Sequence, residues 1–195
     1  RSEGLRGWTI KTQSNIFGYT DWNINRPANA WYCMHLWQHY AYTLDMDYLS
    51  TIAFPVMRSA CEYWFDRLIP VADGILVAPN EWSPEQGETT EAVQALQEAK
   101  IPIDEDFVIE LTSKFNQLDN GVTIGPWGQI REWKEDKQQL DTLGNQHRHL
   151  SQLIALYPGN QISNLRNMEY ADAAKKTLES RGDLGTGWSR AWKIA

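Results

Sequence analysis

The chain reads as an all-α fold, part of an α/α toroid built of antiparallel helical hairpins in series. Three observations predict it. Apolar residues recur at helical spacing in segment after segment, one stretch alone (Val122 to Gly128) looks extended, and the connections are long, aromatic and rich in Gly and Pro. With 195 residues, 42% of them hydrophobic, there is enough chain for one domain with a substantial core.

The elements follow in order. Residues from about Ala28 to Thr43 carry Trp31, His35, Leu36, Trp37, Tyr40 and Tyr42 near helical spacing, with Pro27 or Asn29 marking the start. A second helix is expected from about Asp47 to Ile69. Leu49, Ile52, Phe54, Met57, Ala60, Cys61, Trp64, Phe65 and Leu68 form its wide apolar face. Pro55 should kink that helix or sit in its first turns. The short gap between the two makes them antiparallel neighbours. Thr89 to Ala99 and Asp104 to Asn116 read as further helices, the latter burying Phe107, Val108, Leu111 and Phe115. The extended stretch leads into a short helix around Gln129 to Glu135. Another helix is expected over His149 to Tyr157, stopped by Pro158-Gly159. Met168 to Ser180 is amphipathic with Gly182 placed as its stop, and a last helix begins at Trp188. Trp8 to Trp22, rich in amides and rings, shows no clear secondary structure.

Composition narrows the partners. Ten Trp residues are far above ordinary usage. Indole combines a large apolar face with one N–H donor, which suits stacking on sugars, although most of these rings fit a helical core equally well. A net charge of −7 argues against nucleic acid or an anionic membrane surface, while a neutral glycan is indifferent to it. Cys33 and Cys61 lack metal-ligand spacing and read as buried small hydrophobes. No apolar run approaches membrane-spanning length, and the first residues lack the charged and apolar regions of a signal peptide. The abrupt close at Trp192-Lys193-Ile194-Ala195 suggests a helix cut short. Residues 1–195 are therefore expected to be one partial domain, open to self-association through uncovered helix faces.

Four segments are weighed for chemistry. In Val77-Ala78-Pro79-Asn80-Glu81-Trp82-Ser83-Pro84-Glu85-Gln86-Gly87, two carboxylates flank an indole where Pro79, Pro84 and Gly87 forbid a helix. A carboxyl against an aromatic wall loses hydration, which favours the neutral form that can protonate a glycosidic oxygen. An ordinary turn with two solvated acids fits the same residues. His147-Arg148-His149 places two imidazoles around a guanidinium, able to hydrogen-bond several hydroxyls. A following helix N-terminus would keep the imidazoles neutral. The alternative is a helix cap beside a surface ion pair, and no third ligand nearby supports a metal. His35 and His39, four apart, are expected to be buried in the helix layer rather than to bind metal. Gly182 to Trp188 lacks the strand and Lys of a phosphate cradle. Its glycines instead let backbone and Trp188 approach another loop. No Ser or Cys stands in a nucleophile pattern.

Taken together, these strings resemble the catalytic domain of glycoside hydrolase family 95, the α-L-fucosidases with relatives acting on L-galactosides. The resemblance is carried by Gly7-Trp8 through Asn15-Ile16-Phe17-Gly18, Ala28-Asn29-Ala30-Trp31, His35-Leu36-Trp37-Gln38-His39-Tyr40 and Ala78-Pro79-Asn80-Glu81-Trp82-Ser83-Pro84-Glu85. It continues through Gly128-Gln129-Ile130-Arg131-Glu132-Trp133, His147-Arg148-His149-Leu150-Ser151, Tyr157-Pro158-Gly159-Asn160-Gln161-Ile162 and Gly185-Thr186-Gly187-Trp188-Ser189-Arg190-Ala191-Trp192-Lys193-Ile194. The strings keep the family's order over nearly the whole chain.

The resemblance implies an (α/α)6 barrel that hydrolyses terminal α-L-fucosyl residues with inversion and without a cofactor, in an extracellular or periplasmic setting. It places the general acid on Glu85. His147 and His149 come over as sugar contacts beside Arg148, and Trp82 and Trp8 as weaker ones. The water-activating aspartate and its two asparagines belong to family segments outside this chain. Gln38 stands where the family usually has Glu, and Gln152 where it usually has His. The chain is also shorter than the family norm between Gln86 and Asp104. These departures leave the sugar open between L-fucose and L-galactose. A non-catalytic glycan-binding or structural fragment is the alternative, and an unrelated helical scaffold a third.

Overall fold

A computed structural model describes residues 4–11, 16–17, 24–79, 104–132 and 142–195, which fall into two compact units meeting in sequence at Asp119 and Asn120. The first is mostly helical, and the second joins two α-helices to long turns.

In the first unit, helix α1 (Ala28–Thr43) starts at Pro27, whose missing N–H is no loss at a helix start. It stops where Leu44 turns left-handed, at φ 55°, and its N–H closes on the Tyr40 carbonyl at 2.7 Å. Asp45 then accepts the Tyr48 N–H and opens α2 (Met46–Tyr48), which continues through a π-helical turn (Leu49–Ala53) into α3 (Phe54–Arg67). Pro55 explains the widened turn. Inside a regular helix its ring would collide with the carbonyl four residues back and no N–H would meet that carbonyl. Here the Phe54 N–H reaches the Leu49 carbonyl, and the chain passes the proline without breaking.

Helices α1 and α3 lie antiparallel. At one end the His39 ring stacks on Tyr48 with centroids 4.2 Å apart, and at the other the Trp64 indole donates to Asn29 Oδ1 at 2.8 Å. Between them Cys33, Leu49, Ala53, Met57 and Ala60 are buried, covered by Trp8, Leu36, Trp37 and Tyr40. Fully buried Asn29 also donates to the Trp8 carbonyl at 2.7 Å, so both ends of its amide are satisfied. Gly7, at φ 67°, lets the N-terminal segment lie on α3, since a Cβ there would overlap the Ser59 carbonyl oxygen. Arg6 adds a fork to Asp66 and Glu110, at 2.7 and 2.8 Å, and the guanidinium holds the Asp66 carboxyl below its usual range.

Helix α4 (Glu105–Gln117) begins at Asp104, which accepts the Asp106 N–H at 3.1 Å and the Arg58 guanidinium at 2.7 Å. It buries Phe107 and Leu111 against Cys61 and Phe65, and Arg58 lies over the Phe107 ring at 4.8 Å. Two antiparallel ribbons of two-residue strands complete the unit: β1 (Ile10–Lys11) with β2 (Ile24–Asn25), and β3 (Ile69–Pro70) with β4 (Leu76–Val77). Asp73 and Gly74 supply the left-handed turn of the second.

In the second unit, the chain turns at Gly125 to Gly128, where Ile124 pairs antiparallel with Ile130 and the Gly125 N–H meets the Gln129 carbonyl at 2.8 Å. The Ile130 N–H is anchored on buried Thr177 of helix α5 (Met168–Arg181) at 2.9 Å. Ile130, Leu150, Leu153 and Ile162 pack on Ala173 and Ala174, whose small side chains admit close approach. Asn167 caps the start of α5, Gly182 ends it at φ 58°, and Thr186 caps helix α6 (Gly187–Ile194). Among the described residues no helix is long and apolar enough to cross a membrane.

Several expectations are corrected. Residues 129–132 are not helical, because the two glycines close a turn before them. His149 to Tyr157 forms no α-helix either. It is a 3₁₀ turn (Ser151–Leu153) followed by further turns, and Leu150, Leu153 and Leu156 recur at the spacing of that tighter coil. Ile52 and Phe115 are exposed rather than core, and Tyr63 is completely buried without having been singled out. His35 and His39 are exposed rather than buried in the helix layer. The second helix stops at Arg67, where Ile69 and Pro70 enter a ribbon. Ile10–Lys11 and Ile24–Asn25 form a ribbon in a segment that showed no secondary structure in the sequence, so the fold is not purely α. The helix expected over Thr89 to Ala99 lies outside the described residues.

Asn29 gives a direct test of the first unit. Asn29→Ala strips the partners from the Trp64 N–H and the Trp8 carbonyl inside the core, at about 1–3 kcal/mol for each group left unpaired. Urea unfolding of the full-length protein should show a loss of about 2–6 kcal/mol for the two groups together, and a change below about 0.5 kcal/mol, the size of an ordinary surface substitution, would show the network carries no weight.

Candidate functional site

His147, Arg148 and His149 lie together on an exposed turn of the second unit. Asn145 Oδ1 accepts the His147 N–H at 3.0 Å and sets the turn. The imidazole centroids are 5.3 Å apart, and Arg148 Nε donates to His149 Nε2 at 3.2 Å. A guanidinium can only donate, so His149 Nε2 is the accepting nitrogen and its proton sits on Nδ1. The His149 N–H lies 3.4 Å from His147 Nδ1, so His147, when neutral, carries its proton on Nε2. Each ring thus keeps one N–H donor, and a cluster of this kind can bracket a hydroxyl-rich ligand.

His149 is held below the ordinary imidazole range. Loss of hydration is the largest cause, the Arg148 and His147 charges add to it, and Glu132 opposes it. The lowering expected from a following helix N-terminus holds for His149, but with a different origin, since no α-helix follows.

The glycine-rich string meets the histidine string. Ser189 in α6 donates from Oγ to the Arg148 carbonyl at 2.7 Å. Gly185, at φ 132°, leaves room for that approach: a Cβ there would stand 3.0 Å from Ser189 Oγ and 3.8 Å from the Arg148 Cβ. Trp188 does not make the contact expected of it and is 81% exposed. On the other side of the turn the Ser151 hydroxyl donates to Glu132 Oε1 at 2.9 Å, and Glu132 Oε2 receives the buried Arg181 guanidinium at 2.9 Å. Neither Glu132 nor Arg181 was chosen from the sequence. The only signal was an acid inside an apolar string and an arginine at a helix end, which usually face water. Gln152 is buried as well, and among the described residues neither of its amide atoms has a hydrogen-bond partner.

Trp8 sits in the first unit, partly buried against the α1–α3 core, with its N–H spent on the Val56 carbonyl at 3.0 Å and only ring surface left over. Trp82 and Glu85 lie outside the described residues. Both cysteines are buried, and burial pushes the Cys33 thiol up to about 12. Among the described residues no group of three His, Cys, Asp or Glu could hold a metal.

The depressed His149 has a pH consequence. Below an imidazole's usual value of 6.5, unfolded chains take up a proton that the folded ring resists, so stability falls as pH drops through that value and is unaffected above it. Thermal unfolding of His149→Gln between pH 7 and pH 5 should show a smaller loss than the parent, and identical pH slopes would refute the assignment.

Known proteins supply the remaining information. The chain matches the glycosyl hydrolase family 95 catalytic domain over residues 1–102 and again over 89–195. It is 35% identical to a probable alpha-fucosidase A of Aspergillus niger, covering 97% of this chain and 28% of that protein. It is 30% identical to alpha-L-fucosidase 2 of Arabidopsis thaliana, covering 98% and 26%. A probable alpha-fucosidase A of Aspergillus oryzae is 35% identical over 63% of the chain. The chain therefore spans about a quarter of the length of the curated relatives it matches. The first two alignments run over 222 and 221 positions against 195 residues, so these relatives carry residues with no counterpart here. The two family matches meet at 89–102, in keeping with a chain shortened between Gln86 and Asp104. With both matches together running from the first residue to the last, the chain belongs to the glycosyl hydrolase family 95 catalytic domain.

Proposed function

We propose that this chain is part of an inverting glycoside hydrolase that releases terminal α-L-fucosyl residues from neutral glycans, within an (α/α)6 barrel. The observation that carries this reading is the His147-Arg148-His149 turn: two imidazoles 5.3 Å apart, each with an N–H to give, on a turn tied down by Ser189 and Ser151. A sugar's hydroxyls both donate and accept, and imidazole nitrogens can meet either need. The relatives' names and the family's chemistry point the same way.

In this reading Glu85 gives its proton to the glycosidic oxygen as the bond to the leaving group breaks. Water adds to the opposite face of the sugar, activated by groups that the family carries elsewhere in its length. His147, Arg148 and His149 hold hydroxyls, and Trp82 and Trp8 offer ring faces. No cofactor is needed, because the acid and the activated water balance the reaction between them.

Full-length Glu85→Ala should lose about 10²- to 10⁴-fold in turnover on aryl α-L-fucosides with poor leaving groups, the range for removing a general acid. Much of the loss should vanish on α-L-fucosyl fluoride, whose departure needs no protonation. Undiminished turnover on the poor leaving group would end the assignment. Loss of all binding and turnover in the unaltered protein would favour a structural role instead.

A further inference from the structure

Glu132 is 8% exposed and Arg181 3%, a depth at which a carboxylate survives only if its oxygens are both hydrogen-bonded. They are: Arg181 Nη2 takes Oε2 and the Ser151 hydroxyl takes Oε1, each at 2.9 Å. Arg181 is the last residue of α5, so the acid is fixed to a rigid element, and Ser151 follows His149 by two residues. On the near side of the same turn, Ser189 of α6 holds the Arg148 carbonyl at 2.7 Å. The imidazole turn is thus clamped between two helices of one unit. Buried ion pairs of this kind are often no more stabilising than apolar residues of the same volume, so stability alone does not account for one here.

We propose that Glu132 is a positioning residue for sugar binding, fixing Ser151 against α5 and so fixing the turn that presents His147 and His149. This rests on the reading of those imidazoles as sugar contacts. Glu132 does not itself touch the ligand in this scheme. Its charge reaches the His149 ring, where it counters desolvation, Arg148 and His147.

Three variants of the full-length protein test it. Ser151→Ala deletes only a hydroxyl and keeps the ion pair, Ser151→Thr restores the hydroxyl, and Glu132→Gln keeps an acceptor but removes the charge. Ser151→Ala should raise KM for an aryl α-L-fucoside by roughly 10- to 100-fold, the loss of one hydrogen bond to a charged group, with kcat within about 2-fold. Ser151→Thr should return KM towards the parent value. In histidine-labelled protein the ring signals of His147 and His149 should move in Ser151→Ala, and in Glu132→Gln His149 should titrate at lower pH than in the parent. Should Glu132→Gln fail to fold, Ser151→Ala still decides the matter, because it leaves the buried charges paired. A folded Ser151→Ala with parental KM and unmoved ring signals overturns the proposal. If the parent protein neither binds nor cleaves α-L-fucosides, the sugar reading fails by itself. The ring signals then still report the positioning, and signals that do not move refute it.

Discussion

A carboxylate taken out of water constrains its whole neighbourhood, and Glu132 shows how. Once it is buried, a cation and a hydroxyl must be delivered to its two oxygens, and both must come from segments distant in sequence. Arg181 arrives at the end of α5 and Ser151 from the turn beyond the histidines. The packing of Ile130, Leu150 and Leu153 on Ala173 and Ala174 brings those segments within reach, and the ion pair then fixes their mutual register. Hydrophobic contact is tolerant of small shifts, whereas a hydrogen-bonded charge is not. The exposed imidazoles inherit their placement from that intolerance.

The first unit solves a different problem with the same economy of means. Pro55 falls within a run whose apolar residues call for continuous helix, and a π turn absorbs it so that Leu49, Ala53 and Met57 still share one buried face. Asn29 supplies the polar counterpart, joining α1, α3 and the Trp8 segment through both ends of one amide. Gly7 completes the junction by letting backbone lie directly on α3.

Much of this was legible in the residues. Helices α1, α4, α5 and α6 announce themselves through apolar period and through Asp104, Gly182 and their like at the ends. The helix-rich fold class and the histidine turn followed from the same reading. What stayed hidden has physical causes. Leu150, Leu153 and Leu156 repeat every third residue, which period alone does not separate from an α-helix over so short a run. Aromatic residues encircle α1, so its amphipathic signal is faint and His35 and His39 read as buried. The partnership of Glu132 with Arg181, 49 residues apart, lives in tertiary packing and leaves no local trace. The ribbons of two residues each are too brief to show alternation.

The two buried cysteines have a use beyond packing. Cys33 belongs to the cluster between α1 and α3, and Cys61 to the cluster that α4 covers. Each thiol is hidden only while its own cluster stays closed. Alkylation of the native protein therefore proceeds at two rates, one for each opening, and the molecule carries a built-in pair of clocks that time the breathing of neighbouring parts of one unit separately.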